Sequence, residues 1–270
     1  MNGKELTIDE IHECTLVILR KIIDICEKVN IDYYMAYGSL LGAVRHNGFI
    51  PWDDDMDLWM MRKDFERFAS YCKSHEKELL PFKLLSLDTD ERYPYPIPRF
   101  TDTSYELKTK TFTYDQFGVY VDLYPLDGGG KEGEIEQIRK KYVFLSRCVF
   151  HSIRPDDFPY PEGVKKMVGN VVDYILGRNV IRRKVLMGLL GLKDRFPLEK
   201  SEYLSCITWE MFPPYKKEWF SSYVLQEFEG LKVKIPCGYE EILKAKYGDY
   251  MRLPPENMRH PTHAYSIYKK

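Results

Sequence analysis

An α+β fold is what this sequence predicts: a sheet core with flanking helices over residues 1–130, then a mostly helical part over 131–270. Three observations carry that reading. The chain opens on an amphipathic helical pattern, and residues 55–127 hold short β-branched and aromatic runs. Beyond Gly128-Gly129-Gly130, helical patterning takes over. At 270 residues the chain fits one large domain or two small ones.

The elements follow in order. Thr7 and Glu10 form a capping-box pattern, and Ile11, Ile18, Ile22, Ile25 and Val29 share one helical face. Residues 31–37 have strand character, which Gly38-Ser39 breaks before a short helix over Leu40 to Arg45. Asn47-Gly48 and Pro51 mark turns. Asp55 to Met61 reads as a second strand, because Met56, Leu58 and Met60 alternate with Asp55, Asp57 and Trp59. Arg62 to Leu80 is helical in polarity and length, and Pro81 ends it. Strands are predicted over 82–87, 98–101 and 118–124, and helices over 132–153, 163–192 and 240–247.

Composition narrows the function classes. The chain is 44% hydrophobic and 30% charged, enough for a packed core, which excludes wholesale disorder. Forty Lys+Arg against 41 Asp+Glu leave a net charge of −1, so no basic footprint points to nucleic acid. The six cysteines show no C-x-x-C pair and suit reduced thiols in a cytosolic protein. No signal-peptide pattern opens the chain, and no run approaches the ~20 apolar residues of a membrane span. The expected location is cytoplasmic.

Asp53-Asp54-Asp55-Met56-Asp57 is the most informative stretch. On an extended strand Asp55 and Asp57 share a face, and Asp53 joins them if the strand starts early. Such crowding of negative charge requires a compensating cation or donors, and an all-oxygen site suits Mg²⁺ or Mn²⁺. An acidic turn in solvent is the ordinary alternative, but the apolar flanks Ile50-Pro51-Trp52 and Leu58-Trp59-Met60-Met61 set the cluster at a core edge. Asp122 interrupts the apolar run Val119 to Tyr124 and completes a three-carboxylate set if the strands are neighbours. A strand-end cap is the competing reading for Asp122, and it fits Asp127 as well. Gly38 and Ser39, ahead of a short helix, offer backbone N–H groups and a hydroxyl to a phosphate.

Residues 38–57, from Gly38-Ser39 through Pro51-Trp52-Asp53 to Asp57, resemble the signature of the LicD family, which includes fukutin-type enzymes. Val121 to Asp127 is similar to that family's second block, and Tyr247 to Pro255 to its C-terminal block. The resemblance implies a nucleotidyltransferase-like mixed sheet core. It also implies transfer of phosphocholine or an alditol phosphate from a CDP-activated small alcohol to a hydroxyl of a glycan or lipid-linked glycan acceptor. Such acceptors belong to lipopolysaccharide, teichoic acid or capsule. Asp55 and Asp57 match the metal-binding D-x-D, Asp122 the third carboxylate, and Gly38 and Ser39 the nucleotide-phosphate turn. These carboxylates are the expected catalytic and metal-binding residues. Gly38, Ser39, Arg45, Asp53 and Arg99 are the expected substrate-binding ones, with the two arginines clamping phosphate oxygens. An ion pair with an acidic neighbour is the ordinary alternative for each arginine. The zinc-binding cysteine cluster and the N-terminal anchor of animal members have no counterpart here, so the bacterial, soluble type is the closer comparison. His46, His260 and His263 receive no role.

Two other function classes compete: a nucleotidyltransferase moving NMP from an NTP, and a non-catalytic glycan- or nucleotide-binding protein. The 21 Tyr suit a quaternary-ammonium box, sugar stacking or an ordinary core alike. Residues 163–193 mix basic and apolar side chains, which predicts weak peripheral contact with the inner membrane face. Packing of the same face on the core is the ordinary alternative.

Overall fold

A computed structural model describes residues 4–87, 89–90, 92–109, 114–153, 178–209, 214–261 and 265–270. Helix α1 (Ile8–Lys28) begins on the expected capping box. The Glu10 N–H donates to Thr7 Oγ1 at 3.3 Å, and the Thr7 N–H donates to the Glu10 carboxylate at 2.8 Å. Its apolar stripe, including Ile18, Leu19 and Ile22, is buried against the sheet.

The central sheet is mixed. Strands β1 (Tyr34–Met35), β2 (Asp57–Met61), β6 (Val119–Gly128), β4 (Arg99–Asp102) and β3 (Phe82–Leu85) lie side by side in that order. The β2–β6 pair is parallel and the other pairs antiparallel. All ten residues of β6 are buried, so the sheet is covered on both faces at this strand, whose mostly apolar run includes Asp122 and Asp127. Helices α2 (Tyr37–His46), α3 (Arg62–Ser74) and the short α4 (Glu76–Leu79) connect the early strands. Thus the single helix expected to Leu80 breaks at His75.

Two boundaries differ from expectation in ways that matter for the site. The first strand is only two residues long, and helix α2 already starts at Tyr37. Gly38 and Ser39 therefore sit inside its first turn and form no break between strand and helix. Tyr37 carries the unusual φ of 44°, and its ring packs edge-on between Trp59 and Tyr124 at 4.9 Å each. Burial among aromatic rings holds a backbone conformation that a bulky residue ordinarily avoids. The second strand starts at Asp57, so Asp55 lies in the preceding loop and does not share a strand face with Asp57.

The C-terminal part is not mostly helical among its described residues. Helices α5 (Glu136–Ile153), α6 (Arg178–Leu190) and α7 (Tyr239–Tyr247) are joined by strands β7 (Tyr203–Ser205), β8 (Tyr215–Lys216), β9 (Tyr223–Phe228), β10 (Leu231–Pro236) and β11 (Tyr265–Lys269). Strand β7 pairs with Asp127 and Gly128 at the end of β6 and with β8, extending the central sheet. Strand β11 pairs with β5 (Tyr105–Thr109), returning the end of the chain to the N-terminal part. The β9–β10 hairpin turns on Glu229 and Gly230, both at positive φ, as a two-residue turn between twisted strands demands.

Residues 163–177 of the expected membrane-facing segment lie outside the described residues. In the remainder, Leu186 and Leu189 are buried in the core, while Met187 is 59% exposed. No helix among the described residues is long and apolar enough to cross a membrane. All six cysteines are free thiols, as expected.

Candidate active site

The acidic stretch is a loop whose backbone is secured almost residue by residue. The Asp53 N–H donates to the Ile50 carbonyl at 2.9 Å, and the Asp122 N–H donates to the Met56 carbonyl at 2.9 Å. The Ala36 N–H donates to the Asp57 carbonyl, also at 2.9 Å. Ser39 Oγ accepts the Asp57 N–H at 2.9 Å from inside the first turn of α2. The hydroxyl expected at a phosphate thus shapes the acidic loop. Gly38 has a different constraint: a Cβ there would stand 2.5 Å from Asp53 Oδ2. Only glycine lets the Asp53 carboxylate lie against the start of α2.

Carboxylate oxygens of Asp53, Asp54 and Asp55 come within 4.8 Å of one another. Asp57 and Asp122 stand directly opposite each other on the parallel pair β2–β6, and both are buried. Burial, followed by the charges of Asp53 and Asp122, pushes the Asp55 carboxyl well above the usual range. Burial and then the charges of Asp55, Asp122 and Asp53 do the same to Asp57, against an opposing hydrogen bond from Tyr124. So many carboxylates cannot all be ionised in a shared low-dielectric site without compensating positive charge.

Asp122 does not cap a strand end. It sits within the ten-residue β6, opposite Arg99 of β4, whose Nε donates to its Oδ1 at 2.6 Å. The Arg99 guanidinium is caged by aromatic faces, 4.0 Å from the Tyr120 ring centroid and 4.5 Å from that of Tyr95. The ion pair weighed as its ordinary alternative is thus present, with Asp122 as the partner. Arg45 also turns inward: its NH1 donates to the Tyr250 carbonyl at 2.9 Å, and its Nε bonds His46 at 2.9 Å. Arg45 therefore stitches the first signature block to the C-terminal one. Asp127 forms a bidentate pair with Arg62, both bonds at 2.7 Å, locking the end of β6 to the start of α3.

Two residues at the site escaped the sequence reading. His12 of α1 donates from Nε2 to the Asp53 carbonyl at 2.6 Å, with its ring stacked on Phe49 at 4.0 Å. Tyr265 of β11 donates its hydroxyl to the Asp54 carbonyl at 3.0 Å. Neither lies near the acidic motif in sequence, and the bond each makes is to backbone, so no local pattern announces it. A cavity of about 740 Å³, lined in part by Met61, Tyr203, Lys216 and Phe220, lies at the other end of β2 from Asp57. It belongs to a different part of the surface.

The donor set fits a hard divalent cation. It is built of oxygen alone, its acidic groups crowd together, and Asp57 Oδ1 is buried without a hydrogen-bond partner.

Comparison with known proteins bears on what that set is for. Residues 30–142 match the family model described as the LicD/FKTN/FKRP nucleotidyltransferase domain. Over 98% of this chain and 99% of the relative, the sequence is 28% identical to the lipopolysaccharide cholinephosphotransferase LicD of Haemophilus influenzae. Residues 30–142 are thus similar to the LicD-family domain. The chain is also 40% identical over 55 residues to the human ribitol 5-phosphate transferase FKRP, a match covering 19% of the chain and 11% of that protein. A stretch of 69 residues, 25% of the chain, is 39% identical to an uncharacterized protein of Rickettsia typhi, of which it covers 20%. The matched domain contains α2, the acidic loop, Arg99 and Asp122, whereas His12 and Tyr265 lie outside it.

Proposed function

We propose that this chain is a metal-dependent transferase with a nucleotidyltransferase-like core. It moves a phosphorylated small alcohol, phosphocholine or an alditol phosphate, from a CDP-linked donor to a hydroxyl of a cell-surface glycan. The observation that carries the reading is the buried, unpartnered Asp57 oxygen beside the Asp53–Asp55 cluster. Full-length similarity to a cholinephosphotransferase supports the substrate class.

In this proposal Asp55 and Asp57 hold Mg²⁺ or Mn²⁺, with Asp53, Asp54 and Asp122 as the adjoining carboxylates. A bound divalent cation supplies positive charge for the donor pyrophosphate and the departing CMP. The chain's own groups do the rest. Arg99 sets a positive charge against Asp122 and fixes its rotamer, and in this reading the Asp122 carboxylate accepts the proton of the acceptor hydroxyl. That oxygen then attacks the phosphorus bearing the alcohol, the bond to the bridging oxygen breaks, and CMP leaves. Ser39 and Gly38 contribute by shaping the loop and seating Asp53. Arg45 contributes by fixing the Tyr247–Pro255 segment beside α2.

The description of the matched domain favours one second reading: NMP transfer from an NTP, using the same carboxylates. Thermal melting separates donors. With Mg²⁺ present, CDP-choline, CDP-ribitol or CDP-glycerol at about 100 times its Kd is expected to stabilise the fold by about 2.7 kcal/mol. Stabilisation by NTPs alone, with no CDP-alcohol effective, would turn the assignment to the second reading.

A further inference from the structure

The acidic loop faces an electrostatic difficulty that its own residues do not resolve. Consecutive carboxylates repel, and the outward relaxation of residues 53–55 is opposed by no strand pairing, since β2 begins only at Asp57. Besides the local bond from the Asp53 N–H to the Ile50 carbonyl, a pair of side chains from distant parts of the chain opposes it. His12 holds the Asp53 carbonyl at 2.6 Å, and Tyr265 holds the Asp54 carbonyl at 3.0 Å.

The two anchors belong to one assembly. The Leu6 N–H donates to the Ile267 carbonyl at 2.9 Å, and Glu5 bridges to Tyr268, so the segment leading into α1 runs along β11. Cys14 Sγ donates to the Tyr105 hydroxyl at 3.2 Å, tying α1 to the strand that pairs with β11. Each anchor is itself oriented: the His12 ring lies parallel to Phe49, at 3° between planes. The Tyr265 ring meets Tyr120 edge-on at 6.1 Å, and Tyr120 is the ring on which Arg99 lies. The aromatic layer that fixes Asp122 therefore also braces the hydroxyl that fixes Asp54.

We propose that His12 and Tyr265 are positioning residues that clamp the acidic loop from the two ends of the chain, so that its carboxylates converge before any cation binds. The inference rests on the metal-dependent reading for its purpose but not for its geometry. Donation to a carbonyl places a proton on His12 Nε2. The clamp resembles the outer-shell bonds that orient metal ligands elsewhere, whose loss costs about 10–100-fold in metal affinity.

The test uses the full chain and two variants. Tyr265→Phe removes only the hydroxyl, and His12→Phe keeps a ring on Phe49 but removes the donor. Mn²⁺ binding is measured by the EPR signal of free ion, and loop mobility by amide hydrogen exchange of residues 53–56 in metal-free protein. The expected result is faster exchange confined to the loop in both variants, with Mn²⁺ affinity at least about tenfold weaker. Exchange unchanged in both variants overturns the clamp. So does a loss of packing alone, seen as a lower melting temperature with Mn²⁺ affinity at the wild-type value. If the wild type itself binds no Mn²⁺, the metal reading fails, and the exchange data still decide the clamp. Should Tyr265→Phe not fold, His12→Phe leaves β11 intact and carries the same two measurements.

Discussion

Asp57→Asn is expected to lower transfer by about 10³-fold or more, equivalent to about 4 kcal/mol of transition-state stabilisation, while the chain stays folded. The sign of the stability change is part of the expectation. Asp57 is buried beside Asp55 and opposite Asp122, so a neutral amide relieves like-charge repulsion. Metal-free Asp57→Asn should therefore melt no lower than the wild type. Steady-state rates at saturating donor, paired with thermal melting of the same preparation, check both parts. A variant with near wild-type turnover would remove Asp57 from the chemistry, and one that unfolds would make it a structural residue.

The largest stability effect is expected at Arg99. Its guanidinium is buried, caged by Tyr95 and Tyr120, and bonded to an equally buried Asp122. Arg99→Met leaves that carboxylate without its cation and should cost about 3–5 kcal/mol. The double variant Arg99→Met/Asp122→Asn should recover most of the loss, because neither charge then remains buried alone. Urea denaturation of the two single variants and the double variant gives the coupling directly. Additive losses would mean that the arginine stabilises through its aromatic contacts and not through Asp122.

How much of this was legible in the sequence depends on the range of the interactions. The α1 cap was readable because Thr7 and Glu10 are three residues apart and their reciprocal bonds are local. Asp57 and Asp122 stood out because charge inside apolar runs demands a reason, and the parallel β2–β6 register does bring them together as expected. The start of β2 was not readable. Asp55 alternates correctly with its neighbours, but the strand begins only at Asp57, and His12 and Tyr265 take the carbonyls of Asp53 and Asp54. The partners of the arginines were out of reach for a related reason. Arg45 and Arg99 have the chemistry of phosphate ligands, yet their partners, the Tyr250 carbonyl and Asp122, lie far along the chain. The β9–β10 hairpin did carry a local signal, since Glu229-Gly230 separates Gln226 to Phe228 from the alternating Leu231 to Ile235. Among so many helical cues in the second half, that alternation was outweighed.

Which product appears from which donor, and whether a cation is needed, decides the chemistry of the site most directly. Wild-type protein stripped with EDTA is incubated with CDP-choline, CDP-ribitol, CDP-glycerol or the NTPs, together with a glycan acceptor, before and after Mg²⁺ is restored. The account predicts CMP from at least one CDP-alcohol, only when Mg²⁺ is present. CMP release at full rate in EDTA, or pyrophosphate from an NTP with no CMP from any CDP-alcohol, would contradict it.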